Sequence, residues 1–362
     1  MTEPIRIKDI AERVGVSSGT VDRVIHKRGQ VSAVLREKIE RVMKEMGYEP
    51  NIAARTLAHN QKRLSIAAIL PDYRTDPYWE QPKEGVERAA ESVRHYGAMV
   101  EFYFFPIFEP KTFLITVSQA LDAQPDAVLV APLFLQEAQV LFAACAQRNI
   151  PIVLINTQIE DDDELTYIGQ DSYQSGVLAG RLLNFGLTDG DHAMLVNLDK
   201  EVASARHLQE KERGFKDFFN GVEKKSVTIH TAVQEDFDDP VQLKTWAEEQ
   251  ITLHPQLKGF FVTNSRAYKL VEALSPVFLQ KAKIVGFDLI VPNLKLLEAG
   301  KIQFLINQNA WQQGYYGILT IVNRLIFKKE TQRILYLPLD IIVKENVEYY
   351  LKGNLQSPIM VV

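Results

Sequence analysis

The sequence has very little cysteine and no long apolar run. Cys145 is the one cysteine among 362 residues, which excludes a disulfide framework and a cysteine-based zinc cluster. The longest apolar runs, such as residues 127–132 and 150–155, are strand-length and far short of the ~20 residues of a membrane span. The N-terminus is charged, without the apolar core of a secretory signal. We therefore expect a cytoplasmic protein with no membrane partner.

Catalytic motifs are also missing. The sequence contains no glycine-rich dinucleotide fingerprint, phosphate-binding loop, nucleophile elbow or His-Glu-x-x-His helix. Seven histidines are scattered without metal-ligand spacing: His26, His59, His95, His192, His207, His230 and His254. We therefore expect no enzyme activity, no cofactor and no metal site.

Charge is distributed unevenly along the chain. The formal net charge is -5, but residues 1–63 carry 13 Lys and Arg against 8 Asp and Glu. A basic N-terminal part thus precedes a large acidic remainder. The basic part attracts polyanions and the acidic remainder repels them. This uneven charge favours a nucleic-acid contact confined to the first sixty residues.

Three short helices are predicted in this basic part. Apolar residues at helical spacing mark a first helix, which Gly15-Val16-Ser17 interrupts with a turn glycine and a capping serine. A second short helix follows, and Ser32 caps a third that ends before Gly47 and Pro50. Two short helices joined by a glycine turn form a helix-turn-helix. The apolar positions are Ile7, Ile10, Ala11, Val14, Val21, Val24, Ile25, Leu35, Ile39, Val42, Met43 and Met46.

The same segment resembles a known family. The motifs are Ile7-Lys8-Asp9-Ile10-Ala11, Gly15-Val16-Ser17, Thr20-Val21, Arg23-Val24, Val31-Ser32 and Gly47-Tyr48-Glu49-Pro50-Asn51 through Ala58. In this order and spacing they resemble the DNA-binding head of the lactose/galactose repressor family. The resemblance implies a head over residues 1–49 that binds a pseudo-palindromic operator in double-stranded DNA as a homodimer.

The resemblance and the chemistry together indicate which residues contact DNA. The second helix of a helix-turn-helix reads base edges from its N-terminal part, which here presents Ser18, Gly19 and Arg23. Arg23 is the candidate for a guanine contact. Phosphate contacts are predicted for Lys8, Ser17, Thr20, Ser32 and Asn51. Asp22 either pairs with Arg23 or accepts from a cytosine amine, and the sequence does not decide between these roles.

Residues 50–60 match the hinge helix of the family. Asn51 would cap this helix, which is too short to be stable alone. The resemblance implies that it pairs with its twin and inserts Leu57 into the minor groove, which kinks the DNA. The alternative is that Leu57 only packs within a linker.

The remainder predicts an α/β protein of two doubly wound, parallel-sheet lobes. Apolar runs rich in Val and Ile alternate with helix-length segments from Leu64 to Phe287, typical of parallel strands with helical crossovers. So many strands imply two sheets, with a break near residues 168–170. The acidic run 160–164 is interpreted as solvated surface. We expect a sensor and dimerisation domain over residues 61–350 and a tail over 351–362.

Polar and aromatic residues follow these strands, where parallel sheets bind ligands. Such side chains suit a polyhydroxylated ligand. The segment order also resembles the periplasmic sugar-binding (type I) fold, the sensor of this repressor family. Strand ends and resemblance together predict these ligand contacts: Asp72, Tyr78, Trp79, Asn156, Asp171, Arg206, Lys211, Asn264, Asp288 and Gln308.

Two departures from the family leave the ligand open. Lys211 stands where relatives usually have an arginine, so that Arg206 is an alternative, and Ser265 stands where an aspartate is common. The predicted function is a transcription regulator, a repressor, controlled by a sugar or sugar derivative. The alternative is a cytoplasmic sugar-binding protein or sugar-acting enzyme with an accessory DNA-binding head.

Overall fold

The computed structural model describes residues 5–25, 29, 31–46, 63–159, 164–200, 205–221 and 226–354. By its internal contacts the chain divides into two units, residues 1–62 and 63–362. The predicted hinge helix, residues 50–60, lies outside the described residues. No helix in the described part of the chain combines the length and apolarity that crossing a membrane requires.

The described residues of the first unit form three helices: α1 (Ile7–Val14), α2 (Ser18–Ile25) and α3 (Ala33–Met46). α1 ends at Gly15, whose left-handed backbone (φ 82°) is inexpensive for glycine. Ser17 and Ser32 begin the next two helices, because their Oγ atoms accept hydrogen bonds from the amides of Thr20 and Leu35 at 3.2 and 3.4 Å. The prediction of a three-helix head is confirmed.

One small apolar core holds this unit together. Ile10, Val21 and Ile39, one from each helix, are fully buried at its centre. Lys38 adds a polar link, since its Nζ donates to the carbonyl of Val14 at 3.2 Å. The core uses one face of α2 and leaves the other face accessible.

The second unit consists of two α/β lobes. The first lobe begins with β1 (Leu64–Pro71), α4 (Glu80–Val93), β2 (Ala98–Phe105), α5 (Pro110–Asp122), β3 (Ala127–Val130), α6 (Leu135–Arg148), β4 (Ile152–Ile155) and β5 (Thr166–Gly169). The second lobe follows with α7 (Ser172–Phe185), β6 (His192–Asn197), α8 (Arg206–Asn220), β7 (Thr228–Val233), α9 (Pro240–Leu253), β8 (Leu257–Val262), α10 (Ala267–Ala273), α11 (Pro276–Leu279), β9 (Lys283–Phe287), α12 (Val291–Glu298) and β10 (Phe304–Asn307). The chain returns to the first lobe with α13 (Ala310–Leu325) and β11 (Ile334–Tyr336), and continues in the second with β12 (Asp340–Ile342) and α14 (Val347–Asn354).

Each lobe is built on a six-stranded sheet. The strand order is β2-β1-β3-β4-β5-β11 in the first lobe and β7-β6-β8-β9-β10-β12 in the second. The strands pair in parallel, as β1 does with β2 from Leu64–Ala98 to Pro71–Phe105. The edge strand β12 is the exception and runs antiparallel to β10. Two doubly wound lobes are therefore confirmed.

Helices cover both faces of each sheet, which explains the continuous apolar runs in the sequence. In β3 the neighbours Val128 and Leu129 belong to clusters on opposite faces, and both are fully buried. Because successive strand residues point to opposite faces, a strand covered on both sides must be apolar at every position.

Between residues 63 and 354, the described chain crosses between the lobes three times. The first crossing follows β5 at residue 170, next to the predicted break. After β10 the chain crosses back to the first lobe, where residues 310–336 lie, and after β11 it crosses to the second lobe again. A single break near residues 168–170 does not describe this arrangement. At the C-terminus α14 continues past residue 350, where the tail was predicted to begin.

A pair of glycines brings α7 and α8 into close contact. A Cβ atom at Gly176 would lie 2.0 Å from the carbonyl oxygen of Lys211, and one at Gly214 would lie 2.0 Å from that of Tyr173. Both distances are far below van der Waals contact, so larger residues would push the helices apart. The backbone of Lys211 is held in place by this contact.

Candidate functional site

Most of the predicted DNA contacts of the first unit are exposed. Lys8, Ser17, Ser18, Gly19, Arg23 and Ser32 are exposed, and Thr20 is half-buried. Ser17 Oγ and Thr20 Oγ1 lie 3.0 Å apart at the start of α2. A Cβ atom added at Gly29 would lie 3.3 Å from Cδ of Arg23, so the stem of this arginine runs beside the turn after α2. Asn51 and Leu57 lie outside the described residues.

A cavity between the two lobes of the second unit brings together seven of the ten predicted ligand contacts. These are Tyr78, Trp79, Asn156, Lys211, Asn264, Asp288 and Gln308. Four of them come within two residues of the carboxyl end of a strand, Tyr78 and Trp79 lie in the segment between β1 and α4, and Lys211 reaches the cavity from α8. The cavity has a volume of about 70 Å³.

Lys211 and Asp288 are the buried charges at the base of the cavity. Lys211 Nζ donates to the carbonyl of Thr263 at 3.0 Å and to Gln308 Oε1 at 3.2 Å. Gln308 Nε2 in turn donates to Asp288 Oδ2 at 2.6 Å. Burial raises the pKa of Asp288, and the positive charge of Lys211 opposes this rise. Burial lowers the pKa of Lys211, and the negative charge of Asp288 opposes this fall. Gln308 therefore connects the two charges.

The second carboxylate oxygen of Asp288 has no such partner. Asp288 Oδ1 is buried and accepts no hydrogen bond within the described residues. The residue also has a left-handed backbone, with φ of 68°, which is uncommon outside glycine. A buried acceptor without a donor is costly unless a ligand satisfies it.

An ion pair that the sequence did not predict closes the cavity. Arg266, at the start of α10 in the second lobe, contacts Asp76 of the first lobe at 2.7 Å (Nη2 to Oδ2). The same guanidinium contacts Asp199 of its own lobe at 3.0 Å and lies 4.9 Å from the ring centre of Phe237. The side chains of Asp76 and Arg266 are each 10% exposed. This pair is the direct charged link between the lobes in the described part of the chain.

A second contact between the lobes involves His207. Its Nδ1 lies 3.1 Å from Thr157 Oγ1 of the first lobe. Burial, together with the charges of Lys211 and Arg266, lowers the pKa of His207 to about 3. The imidazole is therefore neutral. His207 was predicted only as one of seven scattered histidines, and its place at the start of α8 beside Lys211 is the signal that could have suggested the cavity.

Three predicted ligand contacts lie outside this cavity. Asp72 turns to Arg74, two residues away, which binds it at 2.6 Å and lowers its pKa. Asp171 caps α7 by accepting from the amide of Gln174 at 2.9 Å. It shares a separate depression with Arg206. Local partners thus hold Asp72 and Asp171, and the lysine rather than the alternative Arg206 reaches the cavity.

Two family models match the chain. The model of bacterial regulatory proteins of the lacI family matches residues 6–51. The model of a periplasmic binding protein domain matches residues 66–329. The first covers the three-helix head, and the second covers most of the two lobes.

Curated relatives have regulatory functions. The ribose operon repressor of Halalkalibacterium halodurans is 25% identical over 358 residues, which cover 94% of this chain and 97% of that protein. The HTH-type transcriptional regulator MalR of Streptococcus pneumoniae is 27% identical over 177 residues, 48% of this chain and 51% of that protein.

Solved structures resemble the two-lobed unit. A LacI transcriptional regulator from Bacteroides fragilis superposes with a TM-score of 0.71 at 26% identity, over 80% of this chain and 100% of that chain. The glucose-galactose binding protein GanP of Geobacillus stearothermophilus has a TM-score of 0.68 at 22% identity, over 79% and 99% of the two chains. At this identity the second likeness concerns the fold alone.

Proposed function

Because the chain belongs to the lacI family of bacterial regulatory proteins, with a periplasmic binding protein domain after its DNA-binding head, we propose that an uncharged sugar or polyol between the lobes controls its affinity for operator DNA. The observation that carries this proposal is Asp288. Its Oδ1 is buried at the cavity without a donor among the described residues. A ligand hydroxyl is a donor that adds no charge.

The charges around the cavity favour an uncharged ligand. The cations Lys211 and Arg266 lie among three carboxylates, those of Asp76, Asp199 and Asp288. An anionic ligand would be repelled by these carboxylates, which outnumber the cations by one, and a cationic ligand would be repelled by Lys211 and Arg266. A neutral polyhydroxylated molecule avoids both costs.

Aromatic rings next to the carboxylate suit the apolar faces of a sugar. Tyr78 and Trp79 pack edge to face with ring centres 4.9 Å apart, and the hydroxyl of Tyr78 accepts from Asn156 Nδ2 at 3.0 Å. Their rings provide surface for C–H groups, while Asp288, Asn156 and Gln308 provide hydrogen-bonding groups.

The lobes must separate before such a ligand enters. Asp76–Arg266 and Thr157–His207 join the two sides of the cavity, so these contacts have to open to admit a sugar ring. Binding would therefore exchange direct contacts between the lobes for contacts through the ligand, which changes the angle between them.

The family relationship connects this angle to DNA. We propose a cytoplasmic homodimer with a head over residues 1–49, in which the lobes set the separation of two hinge helices at residues 50–60. Pairing of these helices then sets operator affinity. The ligand-contact and DNA-contact assignments are part of this proposal.

A screen of sugars and polyols by thermal shift tests the proposal, because a ligand that binds the folded protein raises its melting temperature. Calorimetry on the hit should show that Asp288→Asn weakens binding by about 10- to 100-fold, the effect of losing a charge-assisted hydrogen bond. Asp239→Asn is the matched control, since Asp239 caps the exposed start of α9 and asparagine caps equally well. An unchanged affinity in Asp288→Asn would contradict the proposed site.

A further inference from the structure

Three histidines that are distant in the sequence meet at the end of the second lobe opposite the cavity. His192 is the first residue of β6, His230 lies in β7 and His254 follows the last residue of α9. All three are half-buried, and one ring nitrogen from each lies within 4.8 Å of the others. Pairing of β6 with β7 and the turn from α9 into β8 bring them together.

The spacing of the ring nitrogens is close to that of a shared metal ion. His192 Nδ1 and His230 Nε2 are 3.1 Å apart. Two tetrahedral ligands at ~2.0–2.1 Å from Zn²⁺ are separated by ~3.4 Å, so this pair is nearly in place. His254 stacks on His230 with ring centres 3.7 Å apart. One of its ring nitrogens lies within 4.8 Å of those of His192 and His230, so a rotation of its side chain would bring three nitrogens to one ion.

The neighbours of the three histidines also favour imidazole as the metal ligand. The nearby carboxylate of Asp191 is already bound by Lys258 at 2.5 Å, which leaves imidazoles as the donors.

We infer that His192, His230 and His254 form a binding site for a first-row divalent ion that prefers imidazole ligands, with Zn²⁺ as the representative. Three protein ligands leave a fourth position for water. Such an ion would tie the edge strand β7 and the end of α9 to β6. None of the three histidines lines the ligand cavity, so the inference is independent of the proposed sugar.

Titration of the full chain, prepared without a histidine tag, with Zn²⁺ in a calorimeter tests the inference. We expect one ion per chain, and we expect His254→Ala to lower the affinity at least ~100-fold, because a two-ligand site binds Zn²⁺ weakly. His95→Ala is the matched control, since His95 is an exposed histidine of the first lobe, and it should leave the affinity unchanged.

Co²⁺ provides a second measurement that a folding defect cannot imitate. Bound to the chain in place of Zn²⁺, Co²⁺ should show the intense visible absorption of a four-coordinate site, and His192→Gln should abolish it while the melting temperature without metal stays as in the parent. Absence of Zn²⁺ binding at micromolar concentration would overturn the inference. So would Zn²⁺ affinity that is the same in the parent, His254→Ala and His192→Gln.

Discussion

The ion pair between Asp76 and Arg266 should hold the lobes together, and Asp76→Asn tests this directly. The substitution keeps the shape of the side chain and removes the charge that faces Arg266 at 2.7 Å. Arg266 keeps its contact with Asp199 and its hydrogen bond to the carbonyl of Leu198, both at 3.0 Å in its own lobe. The change therefore weakens a contact between lobes without leaving a buried charge alone.

The expected effect follows from burial and from the remaining partners. Breaking a buried ion pair costs ~3–5 kcal/mol when the other charge is left uncompensated. Asp199 still compensates Arg266, so the loss should be near that of a charge-assisted hydrogen bond, about 2 kcal/mol. That energy corresponds to a shift of about 30-fold in the ratio of open to closed lobes.

Distances between spin labels in the two lobes measure this shift. Cysteines replacing Lys111 in α5 and Lys244 in α9 would carry the labels, since both positions are exposed. Cys145 should not react, because it is buried and burial raises its pKa to about 11. Asp76→Asn should move a substantial part of the distance distribution to longer values.

Arg74→Ala is the matched control for this experiment. Arg74 pairs with Asp72 in the same segment after β1, but this pair lies within one lobe and the arginine is 69% exposed. Its removal should leave the distances unchanged. If Asp76→Asn gives the parental distance distribution, the ion pair does not hold the lobes closed, and the expected loss of about 2 kcal/mol is wrong.

Two further predictions concern the head and the pH dependence of stability. Arg23→Ala should cost ~1–3 kcal/mol of binding free energy on operator DNA and flatten the base preference at one position. Lys8→Ala should weaken binding to all DNA sequences alike and reduce the slope of log affinity against log salt concentration by about 1. Equal losses of affinity on operator and random DNA for Arg23→Ala would refute the guanine contact. Because His207 has a pKa of about 3 when folded, the unfolded chain binds more protons below about pH 6.5, and the free energy of unfolding should fall there by up to ~1.4 kcal/mol per pH unit. In urea titrations from pH 7 to 5, His207→Gln should show a smaller fall, and an equal fall would refute the burial argument.

The head could be predicted nearly completely because its signals are local. Gly15 ends α1, and Ser17 and Ser32 begin the next helices with side-chain hydrogen bonds that span three residues. Capping depends on residues adjacent in sequence, so the sequence carries it directly. DNA contacts stay predictions, since exposure shows only that a residue is accessible.

Most strands of the two sheets could be predicted. The apolar runs predicted as strands between Leu64 and Phe287 are strands in the structure. Burial on both faces makes the central runs continuous, whereas the edge strands β2 and β7 are partly exposed. The apolar pattern did not predict β5, β10, β11 and β12, which have three or four residues each, although it predicted β3 and β4, which have four residues each. Such segments become strands by pairing with distant partners, as Ile334 does with Tyr167.

Within the site, the sequence determined where polar residues follow strands, and the family pattern determined the architecture. Parallel strands bring their carboxyl ends to one edge whatever the details of the loops, so Asp288 and Asn156 could be placed at the cavity. Only the tertiary structure decided that Asp76, and not Asp72, faces the other lobe, because the turn after β1 aims the two carboxylates differently. It also decided that Arg266 meets Asp76 and that three histidines meet across β6, β7 and α9. Such contacts join residues far apart in sequence, and no local pattern records which distant partner a side chain will reach.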